Sequence, residues 1–267
     1  MIVRVFTLFF AANLLALSSC ATGGGSSARK QSRDAADLDA LRHRAHRLWA
    51  ARRDLDCPTV FIFDSPDHQD AATEKAFIEW CRNEEPLRIV DFDLRNVEVD
   101  GDLGWVHAVY HVRFQRAPEA DVEAGDAWEK WYKNKDEWYP VAKTELNNYP
   151  EQPSLRDAAA ETELRNRFLE SFEARRNEYW HRLFELSDPK DHDAVTETMF
   201  IESESMFQYL GIKLIWVEVI GERGRVRVAY DHKIADPSLT KLSPRTMTIT
   251  EKWIVRDGIW YRDLIRS

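Results

Sequence analysis

Two pairs of residues each combine a carboxylate with a phenol: Tyr110 with Glu129, and Tyr230 with Glu251. The two pairs occupy matching places in two similar stretches of the chain. A carboxylate and a phenol inside an apolar pocket can orient the polar group of a small ligand. These four residues are therefore the candidate pocket residues.

A structural role explains the same residues without a ligand. In this interpretation each glutamate forms an ion pair, and each tyrosine is a core aromatic residue with a hydrogen-bonded hydroxyl. The candidate basic partners are Arg52, Arg175, Lys130 and Lys252. The structural role is favoured because residues that recur in both stretches also fit a role in the fold, but ligand binding stays open.

The histidines are weaker candidates for a catalytic base. His107 and His111 share one face of a predicted strand, and Tyr110 points the other way. Their counterparts in the second stretch are Arg227 and Asp231, so the two stretches share no base position. No spacing typical of a metal site, a phosphate-binding loop or a hydrolase nucleophile occurs. The sequence thus predicts no catalytic residue, no metal and no cofactor.

The start of the chain predicts an export signal that is cut before a cysteine. Residues 1–19 have a positive start, an apolar run and small residues at the end. Leu17-Ser18-Ser19-Cys20 resembles the lipobox of bacterial lipoproteins. The resemblance implies that Cys20 carries acyl chains and anchors the protein in a membrane. Because Ala21 is not the aspartate that retains such proteins at the inner membrane, it also implies the periplasmic side of the outer membrane, with the inner membrane as the alternative.

The other two cysteines are Cys57 and Cys81. In an oxidising compartment they could form a disulfide, and the alternative is two small buried apolar side chains. Their counterparts in the second stretch are Trp180 and Glu204, so neither thiol belongs to what the two stretches share.

Charge and composition exclude one class of partner. The chain has 37 basic and 46 acidic residues and a net charge of −9. Nucleic-acid binding requires a basic surface, so this balance argues against it. Residues 20–33 are rich in glycine and serine and predict a flexible tether.

The chain contains an internal duplication. Residues 73–79 return as residues 196–202, at an offset of 123. Further on, residues 97–99 match 217–219 at an offset of 120, and 129–131 match 251–253 at an offset of 122. A repeat of this period predicts two domains rather than a solenoid. The predicted boundaries are repeat 1 at 34–145, a linker at 146–154 and repeat 2 at 155–267.

Each repeat predicts helices followed by strands, which is an α+β plan. In repeat 1 the predicted helices are 35–55 and 68–83, and the strands lie near 88–100, 105–116, 127–134 and 137–143. In repeat 2 a helix begins at residue 155, and this helix or its continuation reaches Leu186. A short helix covers 191–208, and the strands are 212–220, 225–234, 245–256 and 259–265. Ser154 with Asp157 resembles an N-cap pair, and Asp257-Gly258 is typical of a hairpin.

This element order, together with the aromatic final hairpin, resembles the nuclear transport factor 2-like (NTF2-like) superfamily, which includes SnoaL and ketosteroid isomerase. The resemblance implies two tandem cones, each with a curved antiparallel sheet wrapped against helices around a pocket. It also implies pairing through the outer sheet faces, here within one chain as a pseudo-dimer. The outward residues are His107, Val109, His111 and Arg113 in repeat 1, and Arg227, Ala229, Asp231 and Lys233 in repeat 2.

The predicted function is that of a lipid-anchored periplasmic protein that binds a small apolar ligand or a cell-envelope protein without catalysis. One alternative is an acid–base enzyme of the SnoaL or ketosteroid-isomerase type, with a buried carboxyl as base. The other is a purely structural envelope lipoprotein. The content of the cones distinguishes the three, and ten tryptophans favour cones that are filled with side chains.

Overall fold

The protein is an α+β protein with two four-stranded antiparallel sheets, in a computed structural model that describes residues 24–63, 71–83, 87–114, 119, 121–235 and 243–265. The first half comprises α1 (Gly24–Asp54), α2 (Cys57–Ile62), α3 (Ala71–Asn83), β1 (Leu87–Asp100), β2 (Leu103–Phe114), β3 (Glu123–Asn134) and β4 (Glu137–Pro140). The second half comprises α4 (Ala158–Arg176), α5 (Trp180–Glu185), α6 (Glu197–Glu204), β5 (Phe207–Ile220), β6 (Arg223–Ile234), β7 (Arg245–Arg256) and β8 (Ile259–Arg262).

The two halves repeat not only their element order but also their strand register. Each sheet is a meander, in the order β1-β2-β3-β4 or β5-β6-β7-β8. Val97 faces Val106 as Val217 faces Val226, an offset of 120 on both strands. The two irregularities in β1 recur at the same offset in β5. Since bulges bend a strand, the same bends are built into both sheets.

Each hydrophobic cluster among the described residues draws its members from one half. In the first half, α1 packs Leu41 and Leu48 against Val106 and Trp131 of the sheet. In the second half, Leu164 and Phe168 of α4 take the equivalent place against β5 to β8. A third cluster lies around α5 and α6. The apolar side chains of each half are thus buried against that half's own helices and sheet.

The long helices end before the short helices that continue them. Helix α4 ends at Arg176, because Glu178 takes a left-handed backbone conformation with φ of 58°, and α5 is the continuation that ends just before Leu186. Leu55 does the same after α1, at the equivalent position, with φ of 54°. Such a residue terminates a helix because its backbone cannot continue the right-handed turn. The short helices α2 and α5 follow these breaks, and the sequence did not predict them as separate helices.

The start of α1 also differs from prediction. The flexible tether was expected at 20–33, whereas α1 begins at Gly24. Ala28-Arg29-Lys30-Gln31 are good helix formers and extend the helix backwards from its packed part. In the second half, Asp157 caps α4 by accepting hydrogen bonds from the backbone of Ala159 and Ala160. Helix α4 therefore begins at Ala158, after the predicted start at residue 155.

The connection between the halves is anchored to both sheets. It contains two short 3-10 helices, Lys143–Asn148 and Pro153–Leu155. The Trp105 indole donates to the carbonyl of Pro150 at 3.0 Å, and the Trp216 indole donates to that of Asn148 at 3.1 Å. No helix within the described part of the chain is apolar and long enough to cross a bilayer. The signal segment 1–19 and Cys20 lie outside the described residues.

Candidate functional site

The first half contains a cavity of about 510 Å³ between its helices and its sheet. The walls come from α1, α2 and α3 on one side and from β1, β2 and β3 on the other. Most of the wall is apolar, with the side chains of Phe77, Trp80, Leu87, Ile89, Val112 and Val141. Pockets that bind small molecules have this size and this mainly apolar lining.

The polar part of the wall is an ion pair. Arg52 Nη1 donates to Glu129 Oε1 at 2.5 Å, and the Trp49 indole donates to Glu129 Oε2 at 2.9 Å. The side chains of Arg52 and Glu129 retain 31% and 19% of their exposure, so the pair faces the cavity rather than the interior of the core. Both carboxylate oxygens of Glu129 thus accept a hydrogen bond, one from Arg52 and one from Trp49. Lys143 lines the same cavity.

Tyr110 lines this cavity too, and the hydrogen bond to Glu129 Oε2 comes from Trp49. The Tyr110 ring packs on Trp49, with 4.9 Å between ring centroids, and covers the backbone of Gly125. A Cβ at Gly125 would lie 2.4 Å from this ring, so the tyrosine can occupy that position only above a glycine. The structure thus places Tyr110 and Glu129 along the same cavity, and their role in binding a ligand stays a prediction.

The equivalent space in the second half is filled by a buried ionic cluster. Its centre is Arg175, which is 1% exposed and bonds to both Glu204 and Glu251. The Tyr230 hydroxyl donates to Glu251 Oε1 at 2.8 Å, and Arg262 Nη1 donates to Glu204 Oε1 at 2.6 Å. Glu251 is 2% exposed, so Tyr230 and Glu251 are bonded to each other inside the core of this half.

The charges of this cluster stabilise each other. Burial alone would raise the pKa of Glu204, but the positive charges of Arg175 and Arg262 outweigh it and lower that pKa to about 2. Burial raises the pKa of Tyr209 and Tyr230, which keeps both phenols protonated. The cluster places the side chains of two glutamates and two arginines in the space that corresponds to the first-half cavity.

Four residues that sequence reasoning missed decide the difference between the halves. Glu204, Tyr209 and Arg262 fill the second half, and Trp49 completes the glutamate site in the first. The mismatch of Glu204 with Cys81 was visible in the alignment of the two copies. This mismatch alone does not identify the cluster, because the partners of Glu204 come from a helix and a hairpin far apart in sequence.

Cys57 and Cys81 form a disulfide that joins α2 to α3, with 6.0 Å between their Cα atoms. Cys81 also lines the cavity. The bridge therefore fixes two of the helices that form the cavity wall.

The histidines are held within their own half. His107 contacts Asp126 at 2.7 Å, and His111 contacts Asp91 at 2.5 Å, on the outer face of the sheet. Among the other side chains predicted for an internal pairing of the sheets, Arg227 donates to Thr250 and Asp231 accepts from Thr246. The pseudo-dimer stays a prediction.

A second cavity, of about 700 Å³, lies between the linker, the β1–β2 turn of the first half and the second half's sheet. Its wall carries charges of both signs, including Asp100, Glu145, Arg156, Glu161 and Arg165. Arg156 is already paired with Glu161 at 2.6 Å and with Asp100 at 3.4 Å. Three of these charges thus pair with each other, in contrast to the mainly apolar wall of the first-half cavity.

Comparison with known proteins adds little. No protein-family model matches the chain, and no curated protein matches it. Two solved structures show a distant likeness. A SEC-C motif-containing protein from Rhodopseudomonas palustris is 14% identical, with 34% of this chain and 68% of that one covered and a TM-score of 0.30. An Ntf2-like protein involved in plasmid conjugation is 9% identical, with coverage of 80% and 94% and a TM-score of 0.26. At these scores neither likeness carries an argument about this chain.

Proposed function

We propose that the protein is a lipid-anchored envelope protein whose first half binds a small, mainly apolar ligand without catalysis, and whose second half is structural. The observation that carries this proposal is the difference in filling between two otherwise matching halves. One half holds a cavity of about 510 Å³, and the other holds a closed ionic cluster in the same place. A cavity kept open against the tendency of cores to pack tightly suggests an occupant.

The NTF2-like fold of each half is part of the proposal. It is supported by the order of elements, with one long and two short helices before a bulged antiparallel meander. The state of Glu129 favours binding over acid–base catalysis. Both of its oxygens accept hydrogen bonds, from Arg52 and Trp49, so neither is presented to a substrate as a base.

The location rests on the sequence. The Leu17–Cys20 lipobox supports an acylated Cys20 at the outer membrane, facing the periplasm. The disulfide between Cys57 and Cys81 supports an exported protein, since such bonds persist in oxidising compartments.

Ligand binding is tested with a neutral apolar dye, N-phenyl-1-naphthylamine, and the purified protein without its lipid. Ala127 lines the cavity, and its second-half counterpart is Ile249. Ala127→Ile should weaken dye binding at least tenfold because it fills the cavity. Ala124→Ile makes the same change at an exposed position of the same strand and should leave binding unchanged. If the dye does not bind, or if both variants bind it like the parent, the cavity is not a binding site.

The anchor is tested separately by labelling cells with radioactive palmitate and separating membranes from soluble periplasm. The parent and a Cys57→Ala control should carry label and fractionate with the outer membrane. Cys20→Ala should lose the label and become soluble. Label retained by Cys20→Ala would refute the anchor without bearing on the cavity.

A further inference from the structure

The filled half shows what the open half lacks. In the second half, Arg175 binds the Glu204 carboxylate through two nitrogens, with Nε to Oε2 at 3.1 Å and Nη2 to Oε1 at 3.4 Å. Its third contact, through Nη1, goes to Glu251 and Tyr230. This is the fork-like recognition of a carboxylate for which a guanidinium is suited.

In the first half the arginine remains and the acid is gone. Arg52 corresponds to Arg175, and Glu129 to Glu251, and the pair persists. The residue at the place of Glu204 is Cys81, which is held in the disulfide and lines the cavity. Within the described residues, Arg52 has one ion pair, with Glu129, where Arg175 has two.

The second base of the cluster is gone as well. Strand register pairs Trp131 with Pro140 as it pairs Trp253 with Arg262, so Pro140 stands where Arg262 neutralises Glu204. Pro140 lines the cavity. The first half has thus lost one acid and one base together, and with them the bulk that fills the second half. What remains, among the described residues, is an arginine at the wall of an apolar cavity, with Cys81 where the second half has a carboxylate.

We propose, on the basis of the proposed function, that the occupant is an amphiphile with a single carboxylate. Its carboxylate takes the place on Arg52 that Glu204 holds on Arg175, and its apolar body lies along Phe77, Trp80, Ile89 and Val112. A carboxylate fits better than a larger anion because it replaces a glutamate side chain group for group. The positive Lys143 at the same wall adds to the attraction.

Displacement of the neutral dye by three ligands with the same chain tests this proposal: decanoate, decanol and decyl phosphate at pH 7. Decanoate should displace the dye at a concentration at least tenfold below that of decanol, since a hydrogen bond to a charged group is worth roughly a factor of ten or more. In Arg52→Gln, decanoate should weaken about tenfold while decanol is unchanged. Arg52→Lys should retain part of the preference, because it keeps the charge without the fork.

The outcomes separate this inference from the proposed function. Equal binding of decanoate and decanol by the parent, or an equal loss of both in Arg52→Gln, would overturn the carboxylate assignment and leave an apolar site. Tighter binding of decyl phosphate than of decanoate would overturn it in favour of a phosphate ester. Failure of the dye and of all three ligands would end both proposals.

A second variant supplies the missing acid from within the protein. Cys57→Ala with Cys81→Glu places a glutamate where the second half has Glu204, and Cys57→Ala with Cys81→Ala removes the same disulfide without it. The glutamate variant should bind decanoate at least tenfold more weakly than the alanine control and bind decanol about equally. Equal decanoate binding by the two variants would count against Arg52 as the carboxylate receptor.

Discussion

In the second half of the molecule two arginines and two glutamates close the space between helices and sheet, and in the first half the same space is open. Four replacements account for the change, each with a smaller or apolar residue in the first half: Cys81 for Glu204, Pro140 for Arg262, Ile89 for Tyr209 and Ala127 for Ile249. Because one acid and one base are exchanged together, neither version leaves a buried charge without a partner. The comparison teaches that a core can become a cavity at little electrostatic cost when opposite charges are lost as a pair.

What the halves retain marks the parts that the fold requires. The long-helix arginine bonds to the carbonyl of the final-hairpin tryptophan in both, Arg44 to Trp138 at 2.6 Å and Arg167 to Trp260 at 3.0 Å. The hairpin turns also match in backbone conformation, at Lys135-Asp136 and at Asp257-Gly258. The two arginine–carbonyl hydrogen bonds hold the end of each sheet against its long helix, whatever fills the space between helix and sheet.

The largest expected difference between the halves comes from their central arginines. Arg175→Met leaves Glu204 and Glu251 buried with Arg262 alone, and such an uncompensated charge costs about 3 to 5 kcal/mol. Arg52→Met breaks a partly exposed pair and should cost about 1 kcal/mol. Urea unfolding of both variants measures the two losses.

Arg176→Met is the matched control for this comparison, because Arg176 is the exposed neighbour of Arg175 and its pair with Glu173 is open to solvent. Its unfolding free energy should stay near that of the parent. Equal losses for Arg52→Met and Arg175→Met would break the distinction between an open site and a closed cluster.

Acid should destabilise the second half through Glu204. Its pKa is about 2 in the folded protein against an ordinary value of 4.5, so the stabilisation is complete above pH 4.5 and is lost as the pH falls through about 2. The loss amounts to about 3 kcal/mol. Urea unfolding between pH 5 and pH 2 measures it, and Glu204→Gln should lack this part of the pH dependence. A pH profile identical in the parent and in Glu204→Gln would show that the cluster does not hold Glu204 ionised.

Two equivalent glycines should respond alike, because they belong to what the halves share. A Cβ at Gly104 would lie 2.3 Å from Leu41 Cδ2, and a Cβ at Gly224 would lie 2.3 Å from Leu164 Cδ2. Overpacking of this kind costs about 1 to 3 kcal/mol. Gly104→Ala and Gly224→Ala should therefore lower the unfolding free energy by similar amounts, whereas Gly221→Ala meets no crowding and tests only the cost of its positive φ. A much smaller loss at one of the first two sites would show that the packing of the two halves is not equivalent there.

The fold was largely predictable because its signals are local. Alternation along β6 and β7 marks the strands, Asp257-Gly258 marks a turn, and the observed strand Arg245–Arg256 has the predicted bounds. The break between α4 and α5 was not predictable, since Glu178 has a left-handed backbone but is not glycine or asparagine, the residue types that usually mark such a helix end.

The candidate site was predictable only in its shared part. The glutamate and its arginine could be predicted because the pair occurs in both copies, as Arg52 with Glu129 and as Arg175 with Glu251. The contrast between cavity and cluster depends on Glu204 and Arg262, which lie 58 residues apart and meet only in the folded chain. Whether a side chain fills the space between helices and sheet depends on its neighbours in the folded chain, and a single sequence does not show those neighbours.

The smallest expected effect concerns the start of the long helices. Asp157 caps α4 by accepting hydrogen bonds from two backbone amides, both at 3.0 Å, and loss of such a cap costs about 1 kcal/mol. Its counterpart Asp34 lies inside α1, which begins ten residues earlier at Gly24. Asp157→Ala should thus lower the unfolding free energy by about 1 kcal/mol. Asp34→Ala should leave it unchanged or raise it slightly, because alanine is the better helix former. Equal losses in the two variants would mean that Asp34 also acts as a cap, and that the segment before it is not helical in solution.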